Sequence, residues 1–61
     1  MVKMRSFMLI GYKGSERYLM EWQEFYSNIE IFAKNHFAIN SYLTRLDVYD
    51  DHDNLVCQFM R

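Results

Sequence analysis

The chain has 61 residues, 51% of them hydrophobic and 25% charged, with a formal net charge of −1, a balance that excludes a disordered or low-complexity segment and points to one small domain over residues 1–61. The lone Cys57 excludes an intramolecular disulfide, no apolar run approaches the 18 or so residues of a membrane span, and the opening Met1-Val2-Lys3-Met4-Arg5 lacks the pattern of a secretory signal, so a cytoplasmic protein is expected. Eleven residues are Phe, Tyr or Trp; a domain this small buries only about 60% of the surface its unfolded chain exposes, so some of these rings should face a partner.

Taken in chain order, Lys3 to Tyr12 is rich in strand-compatible residues and runs into Gly11-Tyr12-Lys13-Gly14-Ser15, a glycine-bearing turn. Arg17 to Tyr26 fits two patterns. Tyr18, Trp22, Phe25 and Ile29 suit a helix, whereas Tyr18, Met20 and Trp22 suit one face of a strand pairing back on the first. Ser27-Asn28-Ile29-Glu30 favours the strand, because a serine three residues before a glutamate is a capping box and marks a new helix start. The helix should run from about Asn28 to about Asn40, with Ile29, Phe32, Ala33 and Phe37 on its inner face. Tyr42 to Tyr49 alternates, with Tyr42, Thr44, Leu46 and Val48 on one side. After the polar stretch Asp50 to Asn54, Leu55, Cys57 and Phe59 share one face of a last strand. The expected fold is α+β, β-β-α-β-β, a small antiparallel sheet packed by one helix; the alternative is β-α-β-β with one long helix from Glu16 to Phe37. Trp22 is the expected core residue among the large aromatics, and Met8 is assigned to the core.

Few residues suggest chemistry. Asp47, Asp50, Asp51, His52 and Asp53 are the densest group of metal-type ligands, but they lack the glycine and terminal glutamate of a calcium loop, and a turn between strands is polar in any case. His36 and His52 have no spacing that joins them to Ser27 or Cys57 as a nucleophile and base. His36 reads as a helix-flank ring packed on an aromatic neighbour, and Cys57 as a small buried hydrophobe. No catalytic residue, cofactor or metal is expected, and the reading is a binding module. Charge is uneven, +3 over residues 1–20 and −4 over residues 21–61, so a basic protein surface suits the acidic end. If the first two strands pair, Lys3, Arg5, Lys13 and Arg17 offer the best remaining basic face for RNA.

The chain resembles the Dmd antitoxins of T-even-type phages over nearly its full length. The match rests on Tyr12-Lys13, the capping box Ser27 to Glu30, Asn40 near the helix end, Leu43, Asp50-Asp51 and Val56-Cys57. The resemblance implies a protein without chemistry of its own that inserts into a groove of a host RnlA/LsoA-type endoribonuclease toxin and obstructs the RNA-cleaving site, protecting phage messenger RNA in the infected cell. It implies contact through Asn40 and through the helical position that holds tryptophan in the family and Ile31 here, with Phe32 beside it. Ile31 lies off the inner stripe and is expected to be exposed. Asp47, Asp50 and Asp51 are expected to be drawn to the positive field of an RNA-binding groove. The turn around Asp51 to Asn54 is longer than the family's. Direct nucleic-acid or membrane binding is not expected, and the chain should be a monomer or weak homodimer. An RNA-binding regulator, or an assembly protein pairing through a spare sheet edge, are the alternatives.

Overall fold

The computed structural model describes residues 4–25 and 28–61. Its elements run β1 (Arg5–Lys13), β2 (Glu16–Phe25), α1 (Ile29–Ile39), β3 (Arg45–Asp50) and β4 (Leu55–Met60). The strands form one antiparallel sheet in the order β2-β1-β3-β4, with the helix on one side. This is the β-β-α-β-β arrangement expected from the sequence, and the long-helix alternative does not occur.

Local chemistry explains the boundaries. Lys13 pairs with Glu16, leaving Gly14-Ser15 as a two-residue hairpin loop; Gly14 has φ 65°, so the residue without a Cβ stands at the first central position of a tight turn whose twist suits the strands. Thr44 fastens this turn to the chain entering β3: its hydroxyl accepts from Gly14 N–H at 2.9 Å, and its own N–H donates to the Tyr12 carbonyl at 2.8 Å. The helix starts at Asn28, whose side-chain oxygen accepts from Glu30 N–H at 2.9 Å. The cap is thus Asn28; the serine half of the expected capping box, Ser27, lies outside the described residues. At the other end, Asn40 closes the helix by donating both backbone N–H and side-chain amide to the His36 carbonyl.

Alternation splits the sheet into two unlike faces. Facing the helix are Phe7 and Leu9 of β1, Leu46 and Val48 of β3, and Cys57 and Phe59 of β4, closed by Ile29, Ala33, Phe37 and Leu43. Gly11 lies in the same row, and a Cβ there would come within 2.9 Å of a Leu43 methyl, so the missing side chain makes room for Leu43 in the core. Leu43 precedes β3 and shares the buried side with Leu46 and Val48, whereas Tyr42 is exposed; the strand begins at Arg45, and the alternation expected from Tyr42 is broken by the turn before it. A bulge between Val48 and Tyr49 sets Leu55 opposite Tyr49, so Leu55 leaves the face it was expected to share with Cys57 and Phe59 and is exposed.

The opposite face carries Met8 and Ile10 of β1 and Met20 and Trp22 of β2, and no element covers it among the described residues. Trp22, expected in the core, is 59% exposed. The register explains this: Trp22 stands opposite Met8, one residue out of step with the Phe7 and Leu9 row that the helix covers. Met8 is accordingly half-buried on the open side, outside the core cluster.

Candidate interaction surfaces

On α1, the outward stripe is Ile31, Asn35, Ala38 and Ile39, positions spaced i, i+4, i+7 and i+8, opposite the buried Ile29, Ala33 and Phe37. Ile31 is 63% exposed and Ile39 is 80% exposed, so both ends of the stripe present a branched apolar side chain to water. Phe32 is half-buried against the core, and its ring stacks on His36 at 6.0 Å between centroids. His36 also lies 3.3 Å from the Glu21 carboxylate of β2. Asn40 is half-buried, with its amide committed to the helix end.

The aspartates divide. Asp47 is 1% exposed and lies on the sheet face away from the helix; its carboxylate accepts from Gln58 Nε2 at 2.9 Å and pairs with Arg45 at 3.1 Å. Arg45 in turn lies 4.0 Å over the Tyr12 ring. Burial works against the Arg45 charge, but the Asp47 carboxylate and Tyr12 outweigh it and raise its pKa. Asp50 is buried at the end of β3 and organises the turn: one carboxylate oxygen accepts from the N–H groups of His52 (2.8 Å) and Asn54 (2.9 Å), and the other lies 3.5 Å from Arg5. The Asn54 and His52 hydrogen bonds outweigh burial and hold its pKa below the ordinary carboxylate value. Only Asp51 of the three is free to meet a partner, with its side chain 47% exposed and 3.7 Å from His52. Of the aspartates expected to be drawn to a positive groove, Asp47 and Asp50 are thus buried, the first between Gln58 and Arg45 and the second in the turn.

The helix runs antiparallel to β3, with Asn40 at the Arg45 end and Ile31 towards the Asp51 turn. Arg61 fixes this arrangement: it donates to the carbonyls of Phe37, Leu43 and Asn40 and lies 4.2 Å over the Phe37 ring. Ile31 and Asn40 therefore sit near opposite ends of α1, roughly 13 Å apart along its axis. Arg61 was not singled out by sequence, because a lone arginine carries no spacing signal; its role arises only where β4 ends beside the last turn of the helix.

The basic residues do not gather. Arg5 is drawn to Asp50 at one end of β1, while Lys13 and Arg17 lie at the other, roughly 26 Å away; Lys3 lies outside the described residues. Among the described residues, Arg5 is thus apart from Lys13 and Arg17 on the face that pairing of the first two strands could offer. Burial and the nearby Glu30 carboxylate push the Cys57 thiol above its ordinary pKa, which opposes nucleophilic behaviour. Among the described residues no three of His, Cys, Asp and Glu are grouped as a metal ion would require, and no helix is long and apolar enough to cross a membrane.

Comparison with family models, curated proteins and solved structures gives no match.

Proposed function

We propose that the chain is a phage antitoxin that binds a host RnlA/LsoA-type endoribonuclease toxin directly and obstructs its RNA-cleaving site. The observation that carries the reading is the outward stripe of α1, where Ile31 and Ile39 are left in water on an 11-residue helix whose other face is fully used by the core. Such a helix suits a groove, with apolar anchors at each end and polar Asn35 between them. The resemblance to Dmd antitoxins through Tyr12-Lys13, Asn40, Asp50-Asp51 and Val56-Cys57 supplies the kind of partner. Ile31 acts as the anchor, Phe32 stands beside it on the flank of the stripe, and Asn40 marks the far end of the contact. Asp51 adds attraction to the positive field of a groove built for RNA, while Asp47 and Asp50 contribute by shaping the strand and turn that present it. The site of action is the cytoplasm of the infected bacterium.

The test is RNA cleavage by an RnlA/LsoA-type toxin at increasing ratios of the protein. Cleavage should vanish near equimolar ratio, with a complex that forms in the absence of RNA. Ile31→Asp, on an exposed position, should keep the fold by circular dichroism and raise the inhibitory concentration by roughly tenfold or more. Unimpaired cleavage and no complex would discard the antitoxin reading.

A further inference from the structure

We infer that the uncovered face of the sheet binds a second copy of the chain, forming a two-fold dimer that leaves both helices outward. A row of Trp22, Met8, Tyr49 and Leu55 crosses all four strands on this face, and Met20 and Ile10 lie in the next row. Trp22 and Met20 are exposed side by side on β2 and Leu55 is exposed on β4, with half-buried Met8 and Tyr49 between them. The one carboxylate in the middle of the face, Asp47, is already paired with Arg45 and Gln58, so covering it traps no lone charge.

Size and charge select the occupant. The long and middle dimensions of the molecule, 39 and 21 Å, limit the face to at most about the 800 Å² that each partner gives to a standard interface, so a small, symmetric occupant fits it. Along β2, Arg17 stands at one end of this face, opposite Tyr12, and Glu24 at the other, opposite Ser6. A two-fold axis lying in the interface and crossing the strands between Met20 and Trp22 reverses the strand direction. It brings Arg17 of each copy to Glu24 of the other and packs Trp22 over Met20 of the second copy. The two ion pairs lie at the rim, where they fix the register, and the aromatic and methionine side chains fill the centre. Two sheets stacked in this way pack about 10 Å apart with their strands nearly aligned.

The inference stands apart from the antitoxin reading and is tested without a toxin. Sedimentation of the pure protein from micromolar to millimolar concentration should pass from monomer to dimer, and the emission of Trp22, the sole tryptophan, should move to the blue over the same range. Arg17→Glu and Glu24→Arg alone should each weaken the dimer by roughly tenfold, and the two together should restore it, since all four rim charges are then exchanged. Trp22→Lys should weaken it by roughly thirtyfold or more. A chain that stays monomeric at every concentration overturns the inference, as does a dimer indifferent to Trp22→Lys and to both charge reversals. A monomer whose Trp22→Lys variant loses toxin inhibition would assign the face to another protein and equally overturn it.

Discussion

Single residues settle the shape of the β3 to β4 turn. Asp50 accepts from two backbone N–H groups and Asp53 takes a left-handed φ of 62°, a conformation that aspartate tolerates and glycine adopts freely. Asp53→Gly should leave the fold unchanged and raise stability by up to about 1 kcal/mol, read from the urea midpoint; a loss would mean that the Asp53 side chain holds the turn. Asp50 makes the turn sensitive to acid. Its folded pKa lies below the unfolded value, so its contribution is present above the ordinary carboxylate range and is lost as pH falls through the folded value. Stability should drop as pH falls below about 4. Asp50→Asn should be weaker at neutral pH and show a flatter acid limb in urea titrations at stepped pH. Equal acid limbs in the two proteins would assign the loss to other carboxylates.

Among the elements, α1 is held at both ends by devices of different legibility. Its start was visible as a polar residue before Glu30, although the working cap is Asn28, because Ser, Asn and Asp cap through the same short side-chain oxygen and sequence alone does not choose between neighbours. Its end is closed by Asn40 and braced by Arg61, which reaches the Phe37 carbonyl of the last turn only through the tertiary fold. Arg61→Ala should cost about 1–3 kcal/mol, and Arg61→Lys should recover only part, because an ammonium cannot reach several carbonyls in one plane and stack on Phe37. Full recovery by lysine would reduce the role to charge alone. The strands were legible from alternation, but alternation says that two faces differ and not which one is covered. For β2 the deciding fact is its register against Phe7 and Leu9, which turns Leu19, Glu21 and Gln23 towards the helix side and leaves Trp22 in water. The burial of Asp47 escaped for the same reason, since Gln58 and Arg45 become its neighbours only when β3 and β4 pair.

At the scale of the whole molecule, the two apolar surfaces lie on opposite layers, Ile31 and Ile39 on the helix and Trp22 and Met20 on the far side of the sheet. Residues so separated act independently. Ile31→Asp should weaken toxin inhibition by the same roughly tenfold or more without altering the mass in sedimentation, and Trp22→Lys should lower the mass without altering inhibition. One substitution moving both readouts would show that the surfaces are coupled or that the variant is unfolded, which circular dichroism separates.

The strand order has a further consequence, for the birth of the protein rather than its finished form. β1 lies between β2 and β3, yet its partners on the β3 side are between 33 residues (Tyr12 to Arg45) and 43 residues (Phe7 to Asp50) further along the chain. On the ribosome the first hairpin can close as soon as β2 emerges, but the inner border of β1 must wait for more than half of the chain to be synthesised. Through that interval Phe7 and Leu9 are bare and a row of backbone donors and acceptors is unclaimed, the kind of border on which nascent chains stick to one another. Closing this long connection is the most non-local pairing in the sheet, and pairings of that kind slow folding because the chain entropy is lost before the contacts repay it.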